Sequence, residues 1–201
     1  MKSLNSQIGA VLCRESPRDE WGMEKIHRKF QSIDGRSVTF RAPSMDDLDD
    51  FLGFINSLVD EGAEVPVEDR RSREAEADWL GRLLADLEKG SAICIVGEVG
   101  GKLIANSEIR KATGRRSHVG GMAIAIKDGF RDVGIGTELI RLLIEESRRA
   151  GLRLLCASVF ETNLRARHVC EKVGFREVGR MPKAIRKGDR YVDEVVMALE
   201  L

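Results

Sequence analysis

The sequence has no net charge to spare: 33 basic residues face 33 acidic ones, and the pI lies near 6.9. No global field therefore draws the chain to nucleic acid or to a membrane surface. Long apolar runs are missing as well. Ala92-Ile-Cys-Ile-Val96 is strand-sized, far below the roughly 20 residues that cross a bilayer. The first residues are polar and mixed in charge, without a signal-peptide pattern, so the expected compartment is the cytoplasm. Cysteine is scarce, and Cys13, Cys94, Cys156 and Cys170 show no paired spacing. That favours reduced thiols in a cytoplasm over a disulfide framework or a zinc site. Aromatics make up 5% of the chain, and Tyr191 is its one tyrosine, a scarcity that bears on the chemistry below.

What remains suits one well-packed domain: 201 residues, 42% of them hydrophobic. Residues 1–35 have weak periodicity and little to bury. They are expected to form an extension, partly flexible, with a short helix around Trp21–Phe30, and the domain proper is expected to span 36–201. A strand over Ser37–Arg41 opens it. Ser44 then caps a helix with Asp46 and Asp47 in its first turn, where Leu48, Phe51, Leu52, Ile55 and Leu58 recur at helical spacing. A charged loop, Asp60–Arg71, leads to a second helix over Ser72–Lys89, with Trp79, Leu80, Leu83, Leu84 and Leu87 inward and Gly90 as its stop. Strands Ala92–Val99 and Lys102–Lys111 flank a Gly100-Gly101 hairpin turn. The fourth strand is His118–Ile126, and helix Gly136–Ala150 follows. A fifth strand over Leu154–Val159, helix Asn163–Val173, and strands near Phe175–Ala184 and Tyr191–Leu199 complete the chain. This order describes an α+β domain with a mixed, mostly antiparallel central sheet and helices on both faces.

The chemistry is concentrated between the fourth strand and the long helix. Arg131-Asp-Val-Gly134-Ile-Gly136-Thr137 is a tight turn opening into a helix. Helix N-termini expose unpaired N–H groups and partial positive charge, and glycines let an anion approach the main chain. The turn is not a phosphate loop of the Gly-Lys-Ser/Thr kind, because Thr137-Glu138 follows Gly136. Nor is it a dinucleotide turn, since Leu139 holds the place of the third small residue.

The pattern Arg-x-x-Gly-x-Gly resembles the coenzyme A pyrophosphate loop of the GNAT superfamily of N-acetyltransferases. Downstream, Asn163-Leu-Arg-Ala166 followed by Gly174-Phe175 resembles a second motif of that superfamily, in the expected order. The resemblance spans roughly residues 37–201. It implies splayed fourth and fifth strands, with acetyl-CoA as co-substrate and no metal. It further implies that Ile124, Ala125 and Ile126 offer backbone groups to the pantetheine arm. The main chain of Asp132, Val133, Gly134, Ile135, Gly136 and Thr137 would hold the pyrophosphate, with Arg131 as a nearby cation. Asn163 would bond the pantetheine region, although an Asn there serves equally as a helix cap.

The catalytic groups are less well marked. Relatives place a Tyr four residues before the Gly-Phe pair as the acid that protonates the leaving thiolate; here that place is Cys170, which packs in the core on the alternative reading. A base used by ribosomal-protein-type relatives would fall at Ser158. Glu161, two residues before Asn163, falls in a loop near the expected cleft, Glu108 and His118 lie on neighbouring strands, and Asp193 either borders the acceptor pocket or anchors a turn or ladder. Glu61, Glu64, Glu68 and Asp69 would make the acceptor wall acidic, unless they form only a solvated loop. The resemblance thus implies acetyl transfer to a primary amine (a protein N-terminus, a lysine or a small molecule) in a ternary complex. The alternative is a coenzyme A-binding regulatory domain without catalysis. Nucleic acid and membrane are not expected partners, and a homodimer is left open.

Overall fold

The strand expected to open the sheet turns out to be its second. The computed structural model describes residues 27–201, in which His27–Gln31 (β1) pairs antiparallel with Ser37–Arg41 (β2). His27–Phe30 is therefore extended rather than helical, and the rest of the expected helix lies outside the described residues, as does Cys13. Every residue of β1 except the half-buried Phe30 is exposed, so neither alternation nor apolar content marked the strand. Phe30 stacks near Phe40 of β2, with ring centroids 6.1 Å apart.

A 3-10 turn, Met45–Asp47, leads into α1 (Leu48–Asp60), and Asp47 accepts the Ser44 N–H at 2.8 Å. Helix α2 (Arg73–Glu88) starts at Ser72, whose hydroxyl caps the Ala75 N–H. Then come β3 (Ala92–Val99), β4 (Lys102–Lys111), β5 (Val119–Ile126), α3 (Ile135–Arg149), β6 (Leu154–Phe160), α4 (Leu164–Lys172), β7 (Arg176–Lys187) and β8 (Arg190–Glu200). The buried face of α1 is Leu48, Phe51, Phe54 and Leu58. Leu52 and Ile55, expected inside, are only half-buried. The helix is rotated so that Phe54, the larger side chain, takes the interior.

The described strands form one sheet in the order β1-β2-β3-β4-β5-β6-β8-β7, parallel only where β5 meets β6. Alternation along β3 shows why two layers of helix are needed. Ile93 and Ile95 face a core built with Leu139, Ile140 and Leu143 of α3, while Cys94 and Val96 face a second core built with Phe51 of α1 and Leu80 and Leu83 of α2. Phe175, 2% exposed, closes the first core beside α4.

The sheet comes apart at one place. The β5–β6 ladder runs from Val119–Leu154 to Met122–Ala157 and stops there. Beyond it β5 continues against β4 as far as Ile126, and β6 continues against β8 as far as Phe160. The two central strands thus diverge over their last residues, which is the splay expected of the fourth and fifth strands. Among the described residues, the edge of Ala123–Ile126 turned towards β6 has no strand against it. Backbone N–H and C=O groups in such a position need other partners, and a ligand carrying amides can supply them.

Candidate active site

A cleft of about 700 Å³ opens at this divergence, walled by Ile124–Ile126, by the turn Arg131–Thr137, by the start of α4 and by the α1–α2 loop. The turn is built from unusual backbone. Gly129, Asp132 and Gly134 all have positive φ, at 78°, 61° and 89°. Gly134 is the N-cap of α3, with no side chain to satisfy the first N–H groups of the helix. Left-handed residues beside a helix start turn successive N–H groups into one concavity, which is a seat for an anion. Thr137, 8% exposed, sits in the first helical turn and lines the cleft.

Arg131 reaches the cleft, but its guanidinium already has partners. Nε donates to the Ile126 carbonyl at 2.8 Å, one Nη pairs with Glu61, and the other lies 3.7 Å from Asp128. The side chain fastens the end of β5 to its own turn and to the α1–α2 loop. Asp132 pairs with Arg165 of α4 at 3.2 Å, bracing the turn from the opposite side. Asn163 caps α4: its Oδ1 accepts the Ala166 N–H at 3.0 Å, while the residue also lines the cleft, leaving its amide NH2 for another acceptor. The cap and the ligand contact are therefore compatible.

Two expected catalytic residues stand apart from the cleft lining. Cys170 is 2% exposed within the core against α3, and burial, followed by the nearby Glu171 charge, pushes its thiol up to about 11. Glu161 follows β6; its carboxylate lies 4.0 Å from Arg180, and its N–H donates to the Asp193 carbonyl. Glu108 is engaged by Arg110 on the same strand, and His118 is exposed before β5 begins. Asp193 accepts the Lys183 N–H across the β7–β8 bulge, an anchor for the ladder.

The acidic wall is half realised. Glu61 and Glu64 line the cleft, whereas Glu68 pairs with Arg186 of β7 at 2.9 Å. Glu64 also binds Lys187, at the end of β7, and receives the Thr162 hydroxyl. These contacts join the α1–α2 loop to the β7–β8 hairpin across one end of the cleft. Lys187, Thr162, His168 and Lys172 are lining residues that sequence reasoning did not single out. For His168 and Lys172 the four-residue steps from Leu164, the first residue of α4, were an available signal. Lys187 had none, because its placement depends on the β7–β8 register.

Residues 47–175 match the model of the acetyltransferase (GNAT) family. Over 172 residues the chain is 27% identical to the L-methionine sulfoximine/L-methionine sulfone acetyltransferase of Pseudomonas aeruginosa, covering 82% of this chain and 95% of that protein. Among solved structures it is similar to a ribosomal-protein-alanine N-acetyltransferase from Brucella melitensis, with TM-score 0.73 and 22% identity over 81% of this chain and 99% of that one. Salmonella typhimurium yncA, solved with its cofactor acetyl-CoA, gives TM-score 0.72 and 19% identity over 82% and 94% of the two chains. At those identities the structural likeness concerns the fold.

Proposed function

This chain belongs to the GNAT acetyltransferase family, and from that premise we propose that it acetylates the primary amine of a small, amino-acid-like acceptor, both substrates being bound together. The observation that carries the proposal is the end of β5–β6 pairing at Met122–Ala157, which leaves the end of β5 lining the same cleft as a helix start with left-handed Gly134. An unpaired strand edge and an anion seat in one cleft fit a donor that carries both amides and a diphosphate. Acetyl-coenzyme A supplies an acyl group already activated as a thioester.

The main chain of residues 132–137 holds the pyrophosphate, with the Thr137 hydroxyl in reach of it. The edge of Ile124, Ala125 and Ile126 pairs with the pantetheine amides, and the Asn163 NH2 joins them. One β5 N–H, aimed at the thioester oxygen, stabilises the charge that grows there as the amine attacks. A C–N bond forms and the C–S bond breaks; the nitrogen sheds one proton before attack and a second after it, of which the thiolate takes up one equivalent and solvent the other. A free amine has pKa near 10 and arrives mostly protonated at neutral pH, so a carboxylate at the acceptor end is needed. Glu64 takes that part, positioned by Lys187 and Thr162. Cys170 serves packing, and the thiolate takes its proton from solvent in the cleft.

The small acceptor is favoured by two points. The relative of 27% identity acts on methionine sulfoximine and methionine sulfone. The Glu64–Lys187 and Glu68–Arg186 pairs also bridge the acceptor end, which narrows it against a protein chain. The test is release of coenzyme A thiol from acetyl-CoA with methionine sulfone, free amino acids, polyamines and N-terminal peptides as acceptors. Turnover is expected with the small amino acids, falling at least about a hundredfold in Glu64→Gln with donor KM retained. Tight donor binding without thiol release for any amine would instead establish a binding domain.

A further inference from the structure

We infer that the turn joining β1 to β2 is an added part of the donor site, in which Ile33 forms an apolar shelf for the purine base of the donor. The inference rests on the donor placement proposed above. Ile33 is 82% exposed, more than any other large apolar side chain among the described residues. Its exposure does not come from a loose turn. The Ile33 N–H donates to the Val133 carbonyl at 3.0 Å, fixing the residue to the anion seat itself. The Ile33 side chain lies 3.6 Å from where a Cβ on Gly134 would stand.

The turn is also clamped from behind. Arg36 donates to the Gly129 carbonyl at 2.7 Å and its guanidinium lies 4.2 Å over the Phe130 ring. Asp34 pairs with Arg36 and Ser32, and the Ser32 N–H donates to the Arg36 carbonyl at 2.9 Å. A rigid apolar side chain held in water at the rim of a binding cleft is suited to an apolar ligand face. Leu164, 68% exposed at the start of α4, is the other strongly exposed aliphatic residue lining the cleft. Ile33 is bonded to the turn that would seat the diphosphate, and Leu164 precedes Arg165, which pairs with Asp132 of that turn, so a base tethered to the diphosphate lies within their reach. The acceptor amine, by contrast, belongs at the Glu64 end.

The experiment compares two donors: acetyl-CoA, and acetyl-4′-phosphopantetheine, which keeps the thioester, the arm and one phosphate but lacks the adenosine portion. Ile33→Ser is expected to raise KM for acetyl-CoA roughly fivefold to tenfold, the effect of losing one apolar contact, with kcat unchanged. KM for the truncated donor should stay at its wild-type value, and Ile33→Leu should behave as wild type with both. An equal rise for the two donors, or no rise for either, overturns the inference. A fall in Tm with both KM values unchanged also overturns it, because Ile33 would then be covered by the protein's own chain. Failure of the wild-type protein to use acetyl-CoA at all would be a separate result, refuting the donor placement rather than the shelf.

Discussion

Replacing Gly134 with alanine separates backbone conformation from crowding. At φ 89° and ψ −12° the residue lies where L side chains are strained. The new Cβ would meet Phe30 at 3.5 Å and Ile33 at 3.6 Å, ordinary contact distances, so neighbours contribute little to the cost. The left-handed backbone alone costs roughly 1–2 kcal/mol. The variant can keep the turn and lose that much stability, or relax the turn and lose the same amount from donor binding, since binding must then restore the conformation. The two losses, from urea unfolding and from calorimetric titration with coenzyme A, should therefore sum to about 1–2 kcal/mol, equivalent to roughly fivefold to thirtyfold in affinity if all of it falls on binding. Gly136→Ala is the control. It lies within α3, and its Cβ would come 3.0 Å from Cδ1 of Ile126, the far end of a flexible side chain. Alanine gains roughly 0.5–1 kcal/mol over glycine in a helix, enough to offset that small shift. Unchanged stability and unchanged affinity in Gly134→Ala would refute the reasoning.

Cys170→Ala should leave kcat within about threefold and lower stability by about 1 kcal/mol, as for a small core truncation. A loss of a hundredfold or more in kcat with donor binding retained would assign the thiol an acid role instead. Asp47 makes the acid limb of stability testable. Burial pushes its carboxyl up, but two guanidinium bonds from Arg41 and the Ser44 N–H outweigh burial and hold it below its ordinary 3.8. A depressed carboxyl contributes stability above its unfolded value and loses it as pH falls through the folded value. Thermal unfolding below pH 3.8 should therefore flatten in Asp47→Asn relative to the parent, and parallel curves would contradict the assignment.

The bounds of β3, β4, α2 and α3 were legible to within a residue because apolar runs and helical spacing were bracketed by the Ser72 cap, Gly90, Gly100-Gly101, the polar loop after Lys111, Gly136 and Gly151. The turn Arg131–Thr137 was legible for a different reason: an anion seat made of main chain needs a glycine at its left-handed N-cap, Gly134, and that glycine survives in a pattern with Arg131 and Gly136. The role of Arg131 was not, because the sequence names a cation without saying that Ile126 and Glu61 occupy it. β1 escaped notice as an edge strand with little to bury, so it leaves hardly any apolar alternation. Lys187 and Thr162 meet Glu64 only through the β7–β8 register and the close of β6, and no local pattern encodes such a meeting. The divergence of β5 from β6 was expected from resemblance alone, since Ile124-Ala-Ile126 reads equally as a fully paired strand.

A crystal grown with coenzyme A addresses the central claim most directly. The account predicts diphosphate density within hydrogen-bonding distance of the main-chain N–H groups between Val133 and Thr137, with the pantetheine arm running along Ala123–Ile126. Density for the ligand elsewhere, with β5 and β6 still diverging over solvent, would contradict it.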